Sequence, residues 1–177
     1  MPTRAGAPGF TLIELMIVIG IVGVLAVFAV PSMRDLIVAN RMKTLSLDIY
    51  AGLALARSEA IKRNVGIVSM KAAAGGWQDG WSVCADADSN GTCEETLLSA
   101  DPVDSSISLT AVIPATTTAI TLVTFNRDGR LGSSAGSFRV VYTANNAQVP
   151  MRCVELSVSG RPKTLADTNA TDSDGCN

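Results

Sequence analysis

An uninterrupted apolar segment near the amino terminus limits what this chain can fold into. Residues 10–30 contain one charged side chain, Glu14, and no Lys or Arg. As a helix rising ~1.5 Å per residue, the segment spans the ~30 Å hydrocarbon core of a bilayer. It exceeds the ~7–15-residue apolar region of a secretory signal, and no clear Ala-x-Ala site ends it. We therefore predict a transmembrane helix over residues 10–30, in contact with membrane lipid.

Glu14 is the informative residue of this segment. A carboxylate in lipid is costly, so we expect it to be protonated, paired or functional. The nearest basic side chains, Arg4 and Arg34, are ten and twenty residues away. Cleavage after Gly9 would create an α-amine at Phe10, which could pair with Glu14 of the same chain or, better, of a neighbour. The charge therefore indicates self-assembly.

The residues around this charge form a motif, G-FTLIEL from Gly9 to Leu15, followed by the apolar segment. The motif resembles the class III signal of type IV pilins and type II secretion pseudopilins. This resemblance implies that a prepilin peptidase cuts after Gly9 and that Phe10 becomes N-methylphenylalanine. It also implies that Glu14 acts in subunit docking and that Pro31 bends or melts the helix. The alternative interpretation is a plain signal anchor.

Composition excludes several functional classes. The chain has 14 basic and 16 acidic side chains, a net charge of −2, which excludes a globally basic nucleic-acid binder but leaves room for a local basic patch. It has no His, so the usual nucleophile–base pair of a hydrolase is missing. We predict no catalytic residue, no cofactor and no metal site, and a structural or binding protein rather than an enzyme.

Cysteine usage favours an oxidising compartment. No C-x-x-C pair is present, and without His a zinc set cannot be completed. Four cysteines allow three pairings. We favour Cys84 with Cys93 and Cys153 with Cys176, because each bond closes a local loop.

The leader motif and the cysteines determine the expected location. The resemblance implies a single-pass inner-membrane protein with a periplasmic C-terminal domain, later part of an extracellular pilus. The positive-inside rule opposes this orientation, since Arg34, Arg41 and Lys43 follow the apolar segment. We give the cysteines and the leader more weight and place residues 35–177 outside the cytoplasm.

A helical pattern continues beyond Pro31. Apolar residues recur at steps of three and four and form one stripe: Val38, Met42, Leu45, Ile49, Leu53, Ala56 and Ala60. The pattern ends at Arg63-Asn64. We therefore predict one long helix over residues 10–63, with a membrane half and an amphipathic half that packs on a sheet.

Residues after 65 have the composition of β-structure, with runs of Val, Ile and Thr between Gly, Asn and Asp. The predicted strands are Gly66–Met70, Trp81–Ala85, Ser106–Ile113, Ile120–Phe125, Ser137–Tyr142 and Arg152–Ser157. The predicted organisation is a leader at 1–9, a transmembrane and assembly helix at 10–30, its amphipathic continuation at 31–64, a β-rich domain at 65–163 and an acidic tail at 164–177. Cys176 pins the tail.

Four local motifs of this second part resemble the GspH/FimT branch of the pilin-like proteins, which groups a secretion pseudopilin with minor pilins. They are A-RSEAI-R (Ala56 to Arg63), W-DGW-V with its following turn (Trp77 to Gly91), TFNRDGR (Thr124 to Arg130) and RCVELSVSGR (Arg152 to Arg161). The fold implied is α+β and pilin-like, with a long N-terminal helix packed on antiparallel sheet.

The segment D-A-D-S-N-G from Asp86 to Gly91 looks like the start of a calcium loop. The EF-hand pattern requires Glu six residues after the Gly, where this chain has Leu97. Glu94 and Glu95 could substitute only with different geometry. We interpret the segment as a solvated hairpin turn closed by Cys84 and Cys93.

The segment Gly160-Arg161-Pro162-Lys163 follows the last predicted strand. In FimT minor pilins linked to natural transformation, a C-terminal Gly-Arg-x-Arg motif contributes to DNA binding, and this segment resembles it. Lys163 keeps the positive charge but lacks the bidentate fork of Arg. Four more residues extend the patch if their strands share a face: Arg127, Arg130, Arg139 and Arg152. The alternative is a solvated turn.

These features indicate a minor type IV pilin of the GspH/FimT branch. Its expected partners are prepilin peptidase, other major and minor pilins, inner-membrane lipid and double-stranded DNA taken up during transformation. The alternative within the same branch is a minor pseudopilin of a type II secretion system.

Overall fold

The computed structural model describes residues 9–64, 67–88, 92–114, 116–144, 149–168 and 176, with the backbone alone for residues 28–32 and 67. One helix, α1 (Leu12–Arg63), precedes eight strands. The strands are β1 (Ile67–Ala73), β2 (Gly76–Asp86), β3 (Glu95–Ala100), β4 (Ile107–Val112), β5 (Leu122–Phe125), β6 (Gly136–Tyr142), β7 (Arg152–Leu156) and β8 (Pro162–Ala166). The chain divides into two compact units between Ile37 and Val38.

Helix α1 begins and ends with local capping interactions. Thr11 precedes the first helical residue, and its Oγ1 accepts a hydrogen bond from the backbone N–H of Glu14 at 3.3 Å, as an N-cap threonine does. At the other end, Asn64 has a left-handed φ of 54° and donates its N–H to Ala60 O, which stops the helix. The prediction of one long helix is confirmed, with Leu12 rather than Phe10 as its first residue.

The helix is continuous past Pro31, so the helix does not melt there; the Pro31 side chain lies outside the described residues. No helix within the described ranges is both long and apolar enough to cross a bilayer.

The second unit packs the amphipathic part of α1 against β-structure. The predicted apolar stripe supplies Met42, Ile49, Leu53 and Ala56, all with no exposed surface. These residues join one core cluster with Phe125 and residues of both sheets. Burial of this face, at about 25 cal/mol per Å² of apolar surface, accounts for the helix lying on the sheets.

The strands form two antiparallel four-stranded sheets, in the orders β3-β2-β1-β5 and β4-β6-β7-β8. One polar side chain links the two sheets. Gln78 of β2 donates from Nε2 to Ile107 O at 2.9 Å, and its Oε1 accepts from Leu109 N at 2.9 Å. The antiparallel arrangement predicted from the sequence is confirmed, and its division into two sheets is new.

Aromatic side chains also lie in the core. Trp77 donates its indole N–H to Ile120 O and meets Phe138 edge to face at 4.8 Å between ring centroids. Trp81 and Phe125 are buried as well. These rings therefore pack the core and are not available to stack on nucleic-acid bases.

Two strands are absent from the sequence-based prediction. Strand β3 forms an outer strand of the first sheet beside β2, and its residues are exposed or partly buried. Strand β8 pairs with β7 at the edge of the second sheet. The expected boundary at residue 163 between the β-rich domain and an acidic tail is therefore wrong, because β8 continues through Ala166.

Candidate assembly segment and basic surface

The first candidate site is the amino-terminal end of α1, with Gly9, Phe10 and Glu14. The side chain of Phe10 is 83% exposed. The bond from Glu14 N to Thr11 shows a second, local role for this turn, since the T-x-x-E pattern is that of a capping box. The pattern is visible in the sequence, but the sequence-based prediction missed its capping role.

Large apolar side chains cover this part of α1 and remain exposed. Their exposed fractions range from 46% for Val18 to 83% for Phe10. The set comprises Phe10, Leu12, Ile13, Leu15, Met16, Ile17, Val18, Ile19, Ile21, Val22, Val24, Leu25 and Val27. A surface so apolar around the helix is stable only against lipid or other apolar helices.

The second candidate site is the turn between β7 and β8, which carries Gly160 and Arg161. The turn is closed by backbone bonds, Gly160 N to Ser157 O at 2.8 Å and Ser157 N to Arg161 O at 3.3 Å. Gly160 has a left-handed φ of 76°, which a residue with a Cβ adopts only with strain. The alternative interpretation of this segment is a solvated turn; Gly160 and Arg161 lie in a hairpin turn, and Pro162 and Lys163 begin β8.

A second turn, residues 126–130, contacts this hairpin and is called the supporting turn below. A Cβ on Gly160 would lie 2.1 Å from Gly129 O, so only glycine permits this approach. Leu131 N donates to Val158 O at 3.3 Å, and Arg57 of α1 donates from Nε to the same Gly129 O at 3.0 Å. Three of the four motifs singled out in the sequence therefore meet at one junction.

The structure separates the basic residues predicted to extend the patch. Arg127 and Arg130 are exposed in the supporting turn. Arg139 of β6 pairs in register with Cys153, so Arg139 and Arg152 point to opposite faces of the sheet. This pair therefore does not meet the condition of a shared face on which the extended patch depends.

Some cations of the domain are ion-paired and others are not. Arg41 pairs with Asp104 at 2.8 Å, and Arg63 pairs with Glu95 at 2.7 Å and with Glu59 at 3.1 Å. In contrast, no ion pair to a described carboxylate is formed by the cations near the hairpin: Arg57, Arg127, Arg130, Arg161 and Lys163. Two carboxylates lie nearby, Asp128 within the supporting turn and Glu155 opposite Lys163 in the β7–β8 register.

Two grooves flank the hairpin, and Arg161 with Pro162 lines both. One groove of about 360 Å³ lies beside Lys163, Glu155 and Leu156. The other, of about 340 Å³, lies between the hairpin and α1, beside Tyr50, Arg57 and Ile61. Arg161 thus lies on a ridge, formed by the hairpin, that separates the two grooves.

Both disulfides join the cysteines that the loop argument pairs. Cys84 and Cys93 are 5.6 Å apart and Cys153 and Cys176 are 5.9 Å apart between Cα atoms. Cys153 and Cys176 are buried beside Met151 in a small second cluster. This bond fastens residue 176 to strand β7.

The turn interpreted as solvated brings three carboxylates together. Oxygen atoms of Asp86, Asp88 and Glu94 lie within 4.8 Å of one another, and Glu94 accepts a bond from Ala87 N at 2.6 Å. The intervening residues 89–91 lie outside the described part of the chain. Glu94 thus serves the turn itself, and the cluster alone does not assign a metal.

Comparison with known families decides the identity of the fold. The family described as type II transport protein GspH matches residues 46–160, which is most of the chain. The chain belongs to this GspH family. A second match, the prokaryotic N-terminal methylation motif, covers residues 5–30 and implies processing by prepilin peptidase and assembly with other pilins. Membership of this family places the chain among minor pilins and pseudopilins, which are structural components.

Solved structures of two such proteins share the fold. The type IV minor pilin FimU of Pseudomonas aeruginosa aligns with a TM-score of 0.58 at 21% identity, covering 75% of this chain and 96% of that one. The minor pseudopilin EpsH of the Vibrio cholerae type 2 secretion system aligns with a TM-score of 0.55 at 11% identity, covering 71% and 97%. The likeness confirms the α+β pilin-like fold.

A curated relative matches over a short segment. The type IV major alpha-pilin of Moraxella bovis is 50% identical over 44 residues, 25% of this chain and 28% of that protein. The match therefore spans little more than a quarter of the relative.

Arg57 is the residue of the basic surface that sequence reasoning missed. The sequence shows it only as part of the A-RSEAI-R motif, because its partner Gly129 is 72 residues away. No local pattern reports a contact at that separation.

Proposed function

We propose that this chain is a minor subunit of a type IV pilus, made as a prepilin and cut after Gly9. Residues 10–30 hold it in the inner membrane, with residues 35–177 in the periplasm, until it enters the pilus with a methylated Phe10. The exposed apolar surface of α1 carries this proposal, because a helix with that surface needs lipid before assembly and other helices after it.

Glu14 supplies the specific contact of the proposed assembly. A lone carboxylate on an apolar helix is stable when it pairs with a cation, and the α-amine of a processed Phe10 in an adjacent subunit provides one. Thr11 fixes the first turn through its bond to Glu14 N.

A pilus is favoured over a secretion machine by two observations. The 44-residue segment of high identity belongs to a relative named as a major type IV pilin. The two disulfides and the exposed Arg161 hairpin suit a domain that works outside the cell. The alternative is a GspH-type minor pseudopilin, whose partners are other pseudopilins.

Deletion of the gene in the organism of origin distinguishes these machines. We expect fewer surface pili in sheared fractions, with type II secreted protein in the medium unchanged. Re-expression of the wild-type chain should restore the pili and should place the subunit in the sheared fraction. Loss of secretion with normal piliation would instead assign the chain to the secretion machine.

A second proposed function is contact with double-stranded DNA through Arg161 and Lys163. It is supported by the exposed cations around the β7–β8 hairpin, which lack described acidic partners. Lys163 faces Glu155 across the strand pair, so Arg161 is expected to contribute more.

The test is a gel shift of duplex DNA by the full chain in non-ionic detergent at two salt concentrations. Arg161→Ala with Lys163→Ala should lose the salt-sensitive shift, since phosphate contacts release counterions. The matched control, Arg41→Ala with Lys62→Ala, removes the same charge from ion-paired positions and should keep it. Absence of any shift by the wild-type chain at low salt would refute DNA binding.

A further inference from the structure

The geometry points to Arg57 of helix α1 as a phosphate-contacting residue that acts with Arg161 in the groove between α1 and the β7–β8 hairpin. This inference deepens the proposed DNA-binding function and rests on it. It extends the DNA surface from the Gly160–Lys163 segment onto a helix that lies about a hundred residues earlier in the chain.

Arg57 is held in a fixed position by the protein. Its Nε donates to Gly129 O at 3.0 Å. That carbonyl oxygen lies so close to Gly160 that a Cβ there would clash with it. A guanidinium has five N–H donors, so one is used for anchoring and the terminal nitrogens remain. A planar guanidinium with an anchored Nε is well suited to bind a phosphate through its other edge.

The groove has the size and the charge that a phosphate requires. Its volume is about 340 Å³, and a water molecule occupies about 30 Å³ of liquid, so a phosphate group fits with part of its hydration shell. Arg57 and Arg161 both line it, with the Ser58 hydroxyl beside them. Neither Arg forms an ion pair with a described carboxylate, so both guanidinium groups can pair with an anionic ligand.

The position of Arg161 favours a nucleic-acid strand over an acidic side chain of a partner protein. Arg161 lines both grooves, and Lys163 lines the 360 Å³ groove on the side of the hairpin away from Arg57, beside Glu155. Cations are therefore available on each side of the ridge. This arrangement suits the repeated phosphates of a polymer better than the single carboxylate of a docked helix.

The measurement is the affinity of the full chain, in non-ionic detergent, for a fluorescent DNA duplex as a function of salt. Arg57→Gln should weaken binding about tenfold and reduce the slope of log K against log salt by about 0.9, the value for one phosphate contact. Arg57→Lys should keep the slope, because the charge remains. Arg41→Gln removes the same charge from the same helix and should match the wild type.

A second variant tests the same groove in case Arg57→Gln does not fold. Ser58→Glu places a carboxylate in the same groove without removing the Arg57–Gly129 bond, and it should also weaken binding. Thr44→Glu adds the same charge about 21 Å away along the helix, beyond the ~10 Å screening length at 0.1 M salt, and should not.

The outcomes separate this inference from the function on which it rests. If the wild-type chain binds DNA and Arg161→Ala with Lys163→Ala abolishes binding, but Arg57→Gln and Ser58→Glu behave like their controls, the role of Arg57 is refuted and DNA binding stands. If the wild-type chain does not bind DNA, the role of Arg57 and the proposed DNA-binding function are both refuted. If Arg57→Gln removes the subunit from sheared pili and leaves DNA affinity unchanged, the groove docks a protein instead.

Discussion

At the residue scale, Gly160 shows how one backbone position determines the shape of the basic surface. It combines a left-handed φ with a close approach to Gly129 O. Each feature alone excludes most side chains, and together they explain why a glycine precedes Arg161. The exposed arginine is positioned by a residue that itself contacts no ligand.

Gly160→Ala should therefore destabilise the fold by more than the strain of a left-handed residue, about 1–3 kcal/mol. Gly76→Ala is the matched control, because Gly76 has φ +105° and a Cβ added there would meet no atom within 4 Å. Urea unfolding of both variants measures the difference. Equal losses would show that the contact with Gly129 O has no energetic weight.

The charged cluster at the end of α1 makes stability depend on pH. Hydrogen bonds from Lys62 and Arg63 hold the pKa of Glu59 below its ordinary value of 4.5, and the bond from Arg63 likewise lowers the pKa of Glu95. A carboxyl group whose pKa is lower in the folded chain stabilises the fold fully above its unfolded pKa, and this contribution is lost as the pH falls through the folded value.

Acidification from about pH 5 to pH 3 should therefore lower the Tm of the wild-type chain more than that of Arg63→Gln. The variant has already lost the guanidinium that lowers both pKa values. Circular dichroism melts at these pH values and at neutral pH provide the comparison. The same acid sensitivity in both proteins would show that these pairs do not stabilise the fold.

At the element scale, β8 is an edge strand that its own sequence does not predict. It begins at Pro162, which lacks an N–H and is tolerated at the start of an edge strand, and Lys163 and Thr164 are exposed. Its pairing with β7 is set by the Gly160 turn and is reinforced by Cys176, which bonds to Cys153 of β7.

Replacing Cys153 and Cys176 by Ala should reduce the free energy of unfolding by about 3 kcal/mol, as expected for closing a loop of 23 residues. Removing the bond also uncovers the small cluster around Met151. Urea denaturation of the variant and of the oxidised wild type gives the value. The reduced wild type is the control, and a change below about 1 kcal/mol would contradict a stabilising role.

At the scale of the whole molecule, the chain combines an exposed apolar helix with a domain that has its own core. The domain buries most of its amphipathic helix face, with Met42, Ile49, Leu53 and Ala56 fully buried, whereas the preceding residues of α1 keep their apolar side chains exposed. This contrast within one helix is the physical basis of the proposed life cycle, first in lipid and then in a pilus.

Glu14→Gln should therefore leave the chain in the membrane fraction but reduce its incorporation into pili at least about tenfold, since burying an unpaired amine costs several kcal/mol. Thr11→Ala is the control, because it removes the capping oxygen at a cost of about 1 kcal/mol and keeps the charge. Immunoblots of membrane and sheared fractions measure both. Normal incorporation of Glu14→Gln would rule out the docking role.

The sequence alone determined the features whose physics is local. The apolar segment with Glu14, the stripe from Val38 to Ala60 and the helix end at Asn64 depend on neighbours a few positions away. The family resemblance followed from the same local motifs, and short loops between cysteines favoured the two disulfides.

Only the tertiary structure decided which distant residues act together. Strands β3 and β8 exist because a neighbouring strand offers hydrogen bonds, not because their own residues strongly prefer extended structure. The junction of Arg57, Gly129 and Gly160 joins a helix to two turns far along the chain. Such contacts depend on how the core packs the helix against the sheets, and no periodicity in the sequence records them.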